Sequence, residues 1–242
     1  MKKALNILYF VIITLSVILI SIESEKKWKK IICNKLHIDI DIRENLYFVN
    51  SEMVNELLLQ KQDSLIGKPF EDINIYLLEE FIEAHPNIKK AELYLERKGE
   101  LFVEVQQFEP SFRVFEADTS YYLDNQFEMF PLSDNYSARV VQVYCSRISD
   151  SRIETLKKLD TMIQKEKFIK SLVTGIAFDT NNDITLYPRW GKHVILLGEI
   201  SGLEKKIEKL KAFYKSGINR VGWDRYSKIN LKYDGQIVCT KI

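Results

Sequence analysis

The sequence predicts an α+β chain in three parts: one N-terminal apolar helix, a small module of β-α-α-β-β order, and a mixed β domain with helices that closes on an open strand edge. Three observations predict it. Ala4 to Ile22 runs 19 residues without a charge. Between Lys35 and Phe108 the apolar period passes from two to about 3.6 and back to two, with Gly67, Pro69, Pro86 and Gly99 as punctuation. The closing stretch INLKYDGQIVCTKI alternates and then meets Asp234-Gly235, a pair suited to a tight hairpin.

Composition narrows the function classes. With 242 residues the chain is long for one domain and comfortable for two. Its 35 basic and 34 acidic side chains nearly cancel, so no whole-chain field exists to gather nucleic acid. Cys33, Cys145 and Cys239 have no C-x-x-C spacing, which indicates neither a disulfide framework nor a zinc site. They read as small, partly buried hydrophobes, with one pair free to form if the domain is exported.

At 1.5 Å per residue, Ala4 to Ile22 matches the roughly 30 Å hydrocarbon core of a bilayer, so residues 4–22 are expected to form a transmembrane helix after a leader at 1–3. A cleavable signal peptide has an apolar region of about 7–15 residues and a small-x-small site, whereas this run ends in ILISIES. Lysines flank both ends, and the three-residue leader argues for a cytoplasmic N-terminus. Residues 23–34 are expected as a juxtamembrane linker, with Trp28 among lysines as an interfacial anchor.

Lys35 to Ile42 alternates as a half-buried strand. Asn50 or Ser51 can cap a helix whose face is Met53, Val54, Leu57 and Leu58, and Gly67 with Pro69 forces a turn. Asp72 or Asn74 can cap a second helix with Ile75, Leu78, Phe81 and Ile82 inward, ended by Pro86. Strands over Ile88 to Arg97 and Glu100 to Phe108 join across Lys98-Gly99. Further on, Ala138 to Ser146 reads as a strand and Ile153, Leu156, Leu159 and Ile163 as a helical face. SLVTGIAFD, DITLYPRW and HVILLG read as strands, and Leu203, Ile207, Leu210 and Tyr214 as one face of a last helix. Ile229, Leu231 and Tyr233 share one face of a strand from which Gln236 to Lys241 folds back.

Catalytic patterns are lacking. His37, His85 and His193 have no i, i+4 pairing, there is no G-x-S-x-G elbow or glycine-rich phosphate loop, and only nine glycines occur. Ser24-x-x-Lys27 matches the penicillin-binding S-x-x-K string by chance, without its companion motifs. Glu79-Glu80 reads as a solvated helix face, and Asp39 and Asp41 point out from the first strand. No catalytic residue, cofactor or metal is expected, and the chain is read as a non-enzyme.

The order and punctuation of the first half resemble a POTRA domain. Pro86, Ile88, Ala91 and Leu93 in HPNIKKAELYL match its helix-ending proline and first hairpin strand, and Leu101, Val103, Val105, Glu109 and Pro110 match the second. The later half resembles the β domain of the FtsQ/DivIB family of bacterial cell-division proteins. SYYLDNQFEMFPLSD carries that family's aromatic, Asp and F-P-L segment, while Asn230, Leu231, Lys232, Tyr233, Gly235 and Val238 match its closing hairpin. The resemblance implies a POTRA domain over 35–110 and a β domain over 111–242. It implies a single-pass protein of the cell inner membrane with its domains periplasmic, a divisome scaffold at the division site that promotes septum formation. FtsB, with FtsL, is then captured by strand addition at the C-terminal edge, and other division proteins by the transmembrane helix and POTRA domain. The rival reading is a POTRA-bearing protein that guides outer-membrane or secretion substrates.

Gln236, Ile237 and Val238 are the expected docking strand, through backbone position more than side-chain identity. Tyr233 is either a contact or the core-facing end of its strand. Gly235 serves turn geometry or contact. Trp223 and Tyr226 are core or an exposed interface rim.

Overall fold

The computed structural model describes residues 2–41, 46–218, 222 and 224–242, without the side chains of 2–8, 217 and 218. The chain divides into two compact units, Met1–Phe108 and Glu109–Ile242.

In the first unit, helix α1 spans Lys2–Lys29. Residues 23–29 therefore prolong the helix rather than form a linker. The next residues are strapped to a turn: Phe70 N–H donates to Ile31 O (2.9 Å), Cys33 N–H to Lys68 O (2.8 Å) and Gly67 N–H to Cys33 O (2.7 Å). Trp28, expected as an interfacial anchor, instead meets Phe70 edge-on at 5.4 Å. Among the described residues no helix is long and apolar enough to cross a membrane.

Strand β1 (Lys35–Asp41) precedes α2 (Ser51–Lys61), α3 (Ile75–Glu83), β2 (Ile88–Glu96) and β3 (Glu100–Gln107). Ile42, the last residue of the expected first strand, lies outside the described residues. Both helices start where an asparagine meets an orphan N–H: Asn50 Oδ1 accepts from Met53 N–H (2.8 Å), Asn74 Oδ1 from Leu77 N–H (3.1 Å). The strands order as β1-β3-β2, with β1 parallel and β2 antiparallel to β3. One face buries Ala91, Leu93, Leu101, Val103 and Val105, and the helices bury Val54, Leu58, Leu78 and Ile82. Across the other face His37, Phe102 and Tyr94 stack at 4.4 and 5.1 Å.

The second unit opens with a hairpin absent from the sequence expectation, β4 (Pro110–Glu116) and β5 (Thr119–Asp124), followed by β6 (Met129–Pro131). β7 (Val141–Cys145) leads through α4 (Asp150–Lys165) and the unforeseen α5 (Lys167–Leu172) into β8 (Val173–Phe178). β9 (Ile184–Pro188), β10 (Val194–Gly198), α6 (Leu203–Phe213), β11 (Tyr226–Asn230) and β12 (Val238–Lys241) complete it, α6 running on into a π-helical turn. The nine strands order as β12-β11-β10-β9-β8-β7-β4-β5-β6. Pairs β4/β7, β7/β8 and β10/β11 are parallel, because a helix or long segment returns the chain between them.

A single core joins sheet and helices. Val114, Val143, Ile176, Leu186, Ile195 and Ile229 lie inward with Leu156, Leu172, Ile207 and Leu210 from the helices. Arg152, 6% exposed, is a charged residue buried in this unit, as is Asp124. Its guanidinium donates to Asn182 Oδ1 (2.8 Å), Arg147 O (2.5 Å) and Asp179 O (2.8 Å), tying the start of α4 to the β8–β9 connection.

Two stability predictions follow from these contacts. Gly99, at φ +83°, would set a Cβ 2.5 Å from Ile32 O, so Gly99→Ala should lower unfolding free energy by roughly 1–3 kcal/mol in urea titration. Arg152→Met fills similar space but leaves buried acceptors unmet, and should cost about 3 kcal/mol in the same measurement.

Candidate partner-docking edge

A strand at the end of a sheet has one neighbour, and its remaining N–H and C=O groups must be met by something else. The end strands here are treated differently. On β2, Glu83 Oε1 accepts from Ala91 N–H (3.0 Å) and Glu79 Oε1 from Leu93 N–H (2.7 Å). Glu79, expected on a solvated face, is therefore half-buried against the strand. β6 is three residues long and includes Pro131, a residue that blunts an edge.

β12 has β11 as its neighbour and nothing beyond it in the sheet order. Ile242 N–H donates to Arg225 O (3.2 Å), which fixes the alternation. Val238 and Thr240 then turn their backbone groups toward β11, and Cys239 and Lys241 turn their N–H groups away, while Gln236 and Ile237, expected in the strand, precede it. Ile237 and Cys239 pack their side chains against the core, while Val238 and Thr240 stand exposed on the opposite face. A bulge at Tyr226 to Lys228 interrupts the pairing, and Ser227 Oγ lies 3.3 Å from both Thr240 O and Lys241 O.

The expected tight hairpin is corrected by long-range contacts. β11 ends at Asn230 instead of continuing to Tyr233: Leu231 N–H makes the last bond to β10, at Leu196 O (2.9 Å), and Asn230 Oδ1 then accepts from Lys232 N–H (3.0 Å), which turns the chain. Lys209 Nζ then gathers the connection, donating to Leu231 O (3.4 Å) and Tyr233 O (2.6 Å). Lys232 pairs with Asp183, whose hydrogen bond holds the ammonium above the ordinary lysine range.

The candidate residues separate accordingly. Tyr233, 51% exposed, faces solvent and not the core. Tyr226 is half-buried against Phe213, ring centroids 6.1 Å apart. Gly235 adopts φ +70° with open space around a hypothetical Cβ, so turn geometry accounts for it. Gln236 is exposed. Trp223 lies outside the described residues. Cys33, Cys145 and Cys239 are free thiols, each pushed up by burial. Ser227 and Lys209 escape sequence reading, since only the fold brings them to the edge; the i, i+4 spacing of Glu79 and Glu83 was a visible signal on α3.

A β-α-α-β-β module followed by a mixed sheet with one bare end strand defines a class, two-domain proteins that present a sheet edge. Residues 31–106 match the model of the POTRA-like domain, and residues 109–240 match that of the FtsQ/DivIB, C-terminal related domain. The second match covers more than half of the chain, which belongs to the FtsQ/DivIB family of cell-division proteins. No individually curated protein matches it.

The phase of β12 predicts an asymmetry between neighbouring substitutions. Thr240→Pro removes an N–H directed at β11 and should lower the thermal midpoint, while Lys241→Pro removes one directed outward and should leave it within about 1 °C.

Proposed function

We propose that this chain is a non-enzymatic, membrane-anchored scaffold of the bacterial division machinery that captures FtsB, with FtsL, by strand addition along β12, and so promotes septum formation. The observation that carries this reading is the outward row of backbone groups on β12, in a chain of the FtsQ/DivIB family. An added strand gains main-chain hydrogen bonds from that row. Side chains at alternate positions of the partner would lie beside Val238 and Thr240, with Tyr233 and Gln236 at the entrance and Tyr226 behind. Gly235 and Ile237 serve by shaping and seating the strand. Ordering a flexible partner segment offsets part of the gain, which suits a complex that must come apart after division.

The uncharged run Ala4 to Ile22 supports anchoring by α1 in the inner membrane, with the N-terminus cytoplasmic, the two domains periplasmic and the protein at the division site. Other division proteins would meet α1 and the POTRA-like module. The rival role, guiding outer-membrane or secretion substrates by strand addition to the POTRA-like module, is opposed at β2, where Glu79 and Glu83 occupy two outward N–H groups.

Calorimetric titration of the full-length chain in detergent with a synthetic FtsB segment tests the proposal. Wild type should bind, and Lys241→Pro should bind at least about tenfold more weakly, a loss of about 1.4 kcal/mol, with unchanged thermal stability. Ile237→Pro is a poorer probe, because the Ile237 side chain also packs on the core. Equal binding by wild type and Lys241→Pro would rule out docking along this strand.

A further inference from the structure

The POTRA-like module contains a contact that the division-scaffold reading does not use. β2 is an end strand with exposed Lys90 and Glu92 on one face and buried Ala91 and Leu93 on the other. Its pairing with β3 runs without a shift from Lys90 to Glu96, so outward and inward backbone groups alternate regularly along it. The outward N–H groups of Ala91 and Leu93 are two residues apart, the repeat at which an incoming antiparallel strand would offer carbonyl oxygens. Instead they receive carboxylate oxygens from Glu83 and Glu79, one helical turn apart on α3. Spacing of i, i+4 on a helix covers about 6 Å and spacing of i, i+2 on a strand about 6.8 Å, so the two elements are commensurate over this interval.

We propose that Glu79 and Glu83 are an autoinhibitory guard, a substitute for a neighbouring strand that keeps the β2 edge from accepting one. Charge-assisted acceptors are stronger than neutral carbonyls, so an incoming strand must displace them to gain anything at this edge. The strand that fits once they are withdrawn is a copy of β2 itself. Antiparallel pairing centred on Ala91 sets Lys90 opposite Glu92 of the second copy and Glu92 opposite its Lys90, with the two Ala91 residues as the central bonded pair. The existing ion pair between Lys90 and Glu92 is surface-exposed and exchanges at little cost.

The test uses the full-length chain in detergent and a synthetic peptide of Ile88–Glu96 as the strand probe. In hydrogen exchange, Glu79→Ala should speed the Leu93 amide and Glu83→Ala the Ala91 amide, each by about tenfold, while the β3 amides stay protected. The double alanine variant should bind the peptide, and wild type should bind at least about tenfold more weakly. Glu79→Gln with Glu83→Gln keeps both acceptor oxygens without their charge and should bind the peptide more weakly than the double alanine variant but more tightly than wild type. Adding Lys90→Glu to the double alanine variant should abolish peptide binding. Unchanged exchange in both single variants, a uniform rise through β2 and β3, or failure of the double alanine variant to bind would each overturn the proposal; should that variant not fold, the amide-specific response of the single variants decides.

Discussion

An open sheet leaves a row of backbone donors and acceptors at each end, and in this molecule the means of meeting them differs from end to end. The cost of ignoring such groups is large enough that folds are organised around them. In the three-stranded sheet, carboxylates from α3 take the place of a neighbour on β2. In the nine-stranded sheet, one end is a three-residue strand carrying a proline, and the other is β12. A strand with one neighbour keeps its shape only if its side chains are held elsewhere. Ile237 and Cys239 supply that hold by packing on the core, and Lys209 fixes the connection that leads to them.

The helices explain how so long a sheet is stabilised from one side. α4, α5 and α6 contribute Leu156, Leu159, Ile169, Leu172, Ile207 and Leu210 to the same apolar layer as the inward residues of the strands. Burial of that layer is the main favourable term, worth about 25 cal/mol for each Å² of apolar surface removed from water. The layer reaches Ile229 and Leu231 near the β12 end, both fully buried. A stable platform therefore extends to the last pair of strands, which is the requirement for presenting a backbone edge with a defined phase.

Much of the first unit was legible because its signals are local. Asparagine caps, a proline stop and clean changes of period placed α2, α3, β2 and β3 to within two residues. β4 and β5 were not legible, because what places them is distant in sequence: β4 is drawn into the sheet by pairing with β7, and β5 follows by pairing with β4. α5 is six residues long, too short for a 3.6 period to show, and its Ser171-Leu172 was read into the following strand. At the edge, alternation put Tyr233 on the face of Ile229 and Leu231, but the strand ends three residues earlier, where Asn230 Oδ1 takes the Lys232 N–H and turns the chain. The backbone character of the edge was readable from its position; which side chains line it was not, because bulge and connection are set by residues distant in sequence.

The strap between α1 and the turn at 67–70 makes the first helix a rotational coordinate. Ile31 and Cys33 are bonded on either side of Ile32, and Lys30 alone separates them from the helix, in a turn closed by Ile31 N–H to Trp28 O (3.1 Å). One residue inserted into α1 would turn the module by about 100° around the helix axis and displace it by about 1.5 Å. The number of residues in that helix thus sets the compass bearing of everything strapped to it, independently of how apolar they are.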